Sequence, residues 1–117
     1  MNSRSSKLLF DVLESGRTIR DWCVGRSFVD YEKDRQFRRA VEREFEIIGE
    51  ALNRLERHDP EITVRVTEIP RIVGFRNRII HGYDTVDDAM VWGVINSHLP
   101  RLMEEVNREL GASDQSP

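Results

Sequence analysis

The nine residues from Arg76 to Asp84 read Arg-Asn-Arg-Ile-Ile-His-Gly-Tyr-Asp, and they place a guanidinium, an amide, an imidazole and a phenol close together in the chain. Three of these groups suit tasks in phosphate chemistry. A guanidinium grips a phosphate with a fork of N–H donors, an imidazole titrates near neutrality and can take or give a proton, and an amide can orient either one. The local charge agrees with this. Between Val64 and Tyr83 stand four arginines, Arg65, Arg71, Arg76 and Arg78, against the single acid Glu68, although the whole chain carries a net charge of −3.

A helix must position these groups, and Pro70, favoured at a first helical position, marks its start. At about 100° per residue, Ile69, Ile72, Ile79 and Ile80 fall on one stripe with Val73 at its edge, and Arg76 lies in the middle of it. A guanidinium there is expected to be paired with a carboxylate, pointed into a cleft or held at a subunit interface, because an unpaired buried charge is costly. One reading is purely structural, an ion pair with Glu46 or Glu50 of the preceding long helix. His81 and Gly82 also admit a structural reading, since histidine in a last turn and glycine just after it form a common helix stop. On an ideal helix His81 stands about 140° round from Arg76, with Asn77 about 40° from His81 and able to bridge the two. One helix alone is an awkward site, and two copies facing across a two-fold axis would make a better one.

The chain has 117 residues, enough for one domain with a modest core. Charged residues make up 33% in mixed order, glycine and proline are few, and strand-like alternation is weak, so the expected class is all-α. The single cysteine, Cys23, excludes an internal disulfide, and no Cys/His spacing suggests zinc. Without a signal-like or membrane-length apolar run the chain reads as cytoplasmic, with no membrane partner. The acidic balance argues against broad duplex binding but leaves room for a local basic patch on phosphates.

Taken in order, residues 1–6 are expected to be frayed. Helix one, from about Ser6 to Val24, carries Leu8, Leu9, Val12, Leu13, Ile19, Trp22 and Cys23, and Gly25 is a plausible cap. Ser27 to Asp34 reads as a connection whose Phe28, Val29 and Tyr31 cover a bundle end. Asp34 caps a long helix with the stripe Phe37, Val41, Phe45, Ile48, Leu52 and Leu55, beside which Gly49 suggests close approach of a neighbour. Glu42, Glu46 and Glu50 recur at four-residue steps but lack the second-helix partners of a metal site, so they read as a solvated face, and no metal or cofactor is expected. Glu61 to Glu68 reads as a loop. After the motif helix, Thr85 and Asp88 resemble a capping box that opens a last helical region with Ala89, Trp92, Ile95, Leu99, Leu102, Met103, Val106 and Leu110 inward. Pro100 should kink it, or break it near Ser97, and His98 has no obvious partner. Residues 111–117 are expected to be a disordered tail.

A bare Arg-x4-His pattern says little, but the composite says more. The order Phe45–Leu52 (FEIIGEAL), Gly74–Asp84 (GFRNRIIHGYD) and Val91–Trp92 resembles the HepT-like toxins of the HEPN superfamily over roughly residues 8 to 110. The resemblance implies a helical domain over residues 7–110, built as an up-down bundle of four to five helices. It further implies a homodimer that brings two Arg-x4-His motifs into one cleft. It also implies a metal-independent endoribonuclease acting on RNA, the toxin of a type VII toxin–antitoxin pair whose antitoxin is a minimal nucleotidyltransferase. Arg76 and His81 match the motif's catalytic pair, Asn77 the polar residue after the arginine, and Tyr83 the tyrosine that the partner adenylylates. Arg71 and Arg78 are candidates for substrate phosphates. Many relatives carry Pro-Trp before the motif helix, whereas this chain has Pro70-Arg71, which adds charge near the site.

Two other readings compete. In the first, the same fold is a non-catalytic module that binds a nucleotide or a nucleotidyltransferase partner through Arg76 and His81. In the second, the chain is a plain helical interaction protein in which Arg76 is an ion pair and His81 a cap.

Overall fold

The first helix, α1 (Ser3–Cys23), starts three residues before the Ser6 read from the sequence, because Asn2 caps it: Asn2 Oδ1 accepts the Ser5 N–H at 2.8 Å. The Ser5 hydroxyl, fully buried, donates to Asp59 Oδ2 at 3.0 Å and ties this end to the far end of the long third helix. The computed structural model describes residues 2–82 and 86–114. Tyr83, Asp84 and Thr85 lie outside the described residues, as do Met1 and the last three residues of the expected tail, and α7 below runs to Asp114.

After Gly25, which takes φ +74°, the stretch expected as a plain connection contains a short helix, α2 (Phe28–Lys33). A reciprocal capping box starts it: the Asp30 N–H donates to Ser27 Oγ at 3.3 Å and the Ser27 N–H to Asp30 Oδ2 at 2.8 Å. Its Tyr31 is 1% exposed and packs edge-on against Phe37, ring centroids 5.3 Å apart, and at 5.6 Å from Trp92. Covering the bundle end was its expected task. Burial pushes the Tyr31 hydroxyl well above its usual pKa, so it stays neutral there.

Asp34 caps α3 (Arg35–His58) through the Phe37 N–H at 3.0 Å, and all six residues of the expected stripe are buried. Pro60 then opens another short helix, α4 (Pro60–Arg65), where a loop was expected; Ile62 and, after it, Val66 are buried and hold it to the core. The turn into α5 (Ile69–His81) is tied by the buried carboxylate of Glu105, which accepts from the Thr67 N–H at 3.0 Å, the Thr67 hydroxyl at 2.6 Å and the Glu68 N–H at 3.2 Å.

The last rod is continuous. α6 (Asp88–Gly93) is capped by Asp87, whose Oδ1 accepts the Met90 N–H at 2.7 Å, so the cap is not the expected Thr85–Asp88 box, of which Thr85 lies outside the described residues. A π-helical turn (Val94–His98) leads into α7 (Leu99–Asp114). Pro100 does not break the helix near Ser97. It has no N–H and its ring crowds the carbonyl four residues back, and the chain absorbs this by widening the preceding turn, with the Leu99 N–H bonded to the Val94 carbonyl five residues back.

The described residues are therefore all-helical, with four rods, α1, α3, α5 and α6–α7, and two short helices at the connections. The core runs along α3, where Phe45 meets Phe75 of α5 edge-on at 5.1 Å. Among the described residues no helix is long and apolar enough to cross a membrane.

Candidate functional site

Helix α5 has two working faces. Its core face is turned slightly from the expected stripe: Phe75 is buried and Ile80 is 45% exposed, while Ile69 and Ile72 are buried as expected. Arg76 stays within that face and leaves α5 towards α3. Its side chain is 16% exposed, and its stem lies directly over Gly49. A Cβ at position 49 would sit 2.3 Å from Arg76 Cγ and 2.6 Å from Arg76 Cβ, so the glycine is what lets the arginine lie there. Sequence had suggested a close neighbour for Gly49, and that neighbour is the stem of Arg76.

The head of Arg76 is held on two sides. Nη2 donates to Glu50 Oε2 at 3.0 Å and Nη1 to Asn77 Oδ1 at 3.0 Å, while the buried Nε–H has no partner among the described residues. The Glu50 pairing was one of the two expected from sequence. Glu50 is shared, because its other oxygen accepts from Arg54 Nε at 3.0 Å, and its side chain is 42% exposed. Glu46 and Glu42 pair with Arg43 and Arg39, each at 3.2 Å, so the row of three glutamates is an ion-paired face. Beside Arg76 opens a cavity of ≈ 300 Å³ with Leu8, Ala51 and Ile80 on its apolar side and Arg43 and Arg54 among its charged lining.

His81 closes α5 and is exposed; Gly82 follows in the left-handed conformation at φ +62°, its N–H bonded to the Ile79 carbonyl at 3.1 Å. The helix-stop geometry is thus present. Asn77, which the spacing allows to bridge Arg76 and His81, accepts from Arg76 Nη1 through its carbonyl oxygen. Tyr83, the expected site of modification, lies outside the described residues.

The other face of α5 carries Arg71, Gly74 and Arg78 at steps of three and four residues, with Phe75 at its border with the core face. They line a second cavity, of ≈ 560 Å³, against Ala89, Met90 and Gly93 of α6 and Val94, Ser97 and His98 of the π-helical turn. The contacts at this cavity are ones that no spacing in the sequence announces. His98, for which no partner was expected, has Nδ1 3.1 Å from Glu68 Oε2 and Nε2 3.2 Å from Arg71 Nη1. Glu68 and His98 are thirty residues apart, on elements whose docking no local pattern announces. Arg71 and Arg78 therefore share a cavity with each other, on the opposite side of α5 from the Arg76 pocket. Among the described residues no three His, Cys, Asp or Glu side chains gather into a metal-holding cluster.

The family model described as "Ribonuclease HepT-like" matches residues 12–109. The chain is 34% identical over 98 residues to the "Probable ribonuclease HepT" of Thermococcus cleftensis, covering 80% of this chain and 84% of that protein. It is 29% identical over 109 residues to "Putative RNase MJ1380" of Methanocaldococcus jannaschii, covering 91% and 97%. Its identity is 35% over 88 residues to "Putative RNase TTE0752" of Caldanaerobacter subterraneus, covering 74% and 76%. No solved structure matches it. The all-helical bundle and the match over most of the chain agree: the protein belongs to the HepT-like ribonuclease family of the HEPN superfamily.

Proposed function

We propose that the chain is an endoribonuclease that cuts RNA without a metal ion, with Arg76 and His81 as its catalytic residues. The observation that carries this reading is the way Arg76 is held. An arginine serving only stability would have its buried donors satisfied, whereas here Nε–H is unmatched and the pairing carboxylate is half-exposed and shared with Arg54. Arg76 is thus fixed in direction by Gly49 and Asn77 more than by the strength of its ion pair.

The chemistry follows from the groups. Cleavage through the ribose 2′-hydroxyl needs a base to take that proton, an acid to protonate the leaving 5′-oxygen, and positive charge on the pentacoordinate phosphorus between them. Arg76 supplies the charge, and His81 serves as base or acid. One α5 offers one histidine, about 140° round the helix from Arg76, so the complete site draws on a second copy of the chain, the two His81 side chains sharing the two proton tasks. Asn77 holds Arg76 in place, and Arg71 and Arg78 contact phosphates further along the strand.

Regulation in this reading acts at Tyr83, two residues beyond His81. A nucleotidyltransferase antitoxin adenylylates its hydroxyl, and the added adenylate brings negative charge and bulk that compete with RNA for the arginines. A Tyr83→Phe chain incubated with such a partner and ATP should gain no adenylate by intact mass.

The experiment that tests the core of the reading is cleavage of RNA by the purified chain in EDTA. Products ending in 2′,3′-cyclic phosphate are expected. No cleavage across several RNA classes, or products ending in 5′-phosphate, would count against it and favour the nucleotide- or protein-binding module.

A further inference from the structure

The cavity between α5 and the α6–α7 rod is divided chemically. Its floor is apolar, from the buried Phe75 and Val94 with Met90 beside them, and its rim carries Arg71, Arg78 and His98. Its ≈ 560 Å³ is in the size range of sites that enclose a small organic group, roughly 300–1,000 Å³. A methionine wall suits a guest of variable shape, because the side chain is flexible and polarizable.

The rim is cationic and available. Among the described residues Arg71 bonds to His98 Nε2 at 3.2 Å and Arg78 lies 3.6 Å from Met90 Sδ, so neither guanidinium is neutralised by a carboxylate. Because a guanidinium only donates, His98 Nε2 accepts, and the ring proton sits on Nδ1 towards Glu68 Oε2. Glu68 is 6% exposed and also lies 3.5 Å from Arg101, so its charge is engaged behind the imidazole, away from the opening.

The walls hold two glycines whose absence of side chain has no packing reason. A Cβ added at Gly74 or at Gly93 would meet nothing within 4 Å, and neither residue has a positive φ. Glycine is a poor helix former, and both positions are helical. What their bareness does leave is open space along the cavity wall.

We infer that this cavity holds one nucleotide of a single-stranded RNA, its base on the apolar floor beside Gly74 and Gly93 and its phosphate on Arg71 and Arg78. The inference rests on the reading of RNA as substrate and adds to it a subsite on the face of α5 opposite Arg76. Bases turned out of a single strand into apolar slots, with arginine on the adjoining phosphate, are a usual way for proteins to grip RNA.

The test is binding, read by fluorescence anisotropy with a short labelled 2′-O-methyl RNA, which lacks the attacking hydroxyl and stays intact. A Cβ at either position meets nothing within 4 Å and leucine favours the helix, so Gly74→Leu and Gly93→Leu should add bulk to the cavity and still fold, as a thermal melt will show. Each should bind the RNA roughly tenfold more weakly than wild type, the scale of one lost base contact. Unchanged affinity in both folded variants, or a wild-type chain that binds no RNA, overturns the inference. Titration with 5′-AMP alone separates the two sources of a nucleotide: variants that lose AMP but keep RNA affinity mark a free-nucleotide site, which also overturns it. A wild-type chain that binds RNA through this cavity but never cuts it would remove the proposed activity and leave the subsite standing.

Discussion

The two faces of α5 hold their arginines in opposite ways. Arg76 lies in a slot shaped by the missing side chain of Gly49, with Glu50 and Asn77 at its head, and it has little freedom to turn. Arg71 and Arg78 stand exposed around an open cavity, touching an imidazole and a thioether. On the proposed reading, the difference suits two tasks that one strand of phosphates requires. A group that must meet developing charge at one phosphorus gains from a fixed direction, whereas groups that follow a flexible backbone gain from freedom.

Substitutions at Arg76 should break the first face most visibly. Arg76→Ala is expected to lower RNA cleavage by about a hundred- to a thousandfold, the usual effect of removing one donor to the transition state. Its cost in stability should be modest, about 1 kcal/mol, because the pair is partly solvated and Glu50 keeps Arg54. Arg76→Met, which keeps the stem over Gly49, should be as inactive but closer to wild type in a denaturant melt. A large stability loss in Arg76→Ala with cleavage retained would return Arg76 to the purely structural reading.

Gly49→Ala attacks the same slot from α3. The added methyl meets the Cβ and Cγ of Arg76, which cannot swing aside as the tip of a long side chain could. Destabilisation of about 1–3 kcal/mol is expected, together with a fall in cleavage, and both can be read from one preparation by melting and assay. Arg71→Ala should have the smallest effect and should act on the other face alone. Stability should change by less than about 0.5 kcal/mol, while RNA binding weakens and its salt dependence becomes shallower by about 0.7 in logarithmic slope.

Much of this was legible in the sequence where a period or a cap stood alone. The α3 stripe, the Asp34 cap and the left-handed Gly82 all follow from local rules, and all are present. Arg76 was placed inward by the phase of α5, and Glu50 was one of two acids offered as its partner. The missed elements are short or non-local. α2 and α4 have six residues each, too few to show a period, although the capping box at Ser27 and Asp30 was a readable signal for α2. The π-helical turn answers Pro100 in a way that sequence does not choose between kink, break and widening. Glu68, His98 and Arg71 meet only because α5 docks beside the last rod, and no spacing along the chain encodes that contact.

The most direct measurement is cleavage by His81→Ala beside wild type in EDTA, on chains shown by circular dichroism to be equally helical. His81 is exposed at the end of α5, so its removal should leave the fold intact. The account predicts that the variant forms no 2′,3′-cyclic phosphate ends while wild type does. Full cleavage by a folded His81→Ala chain would contradict it.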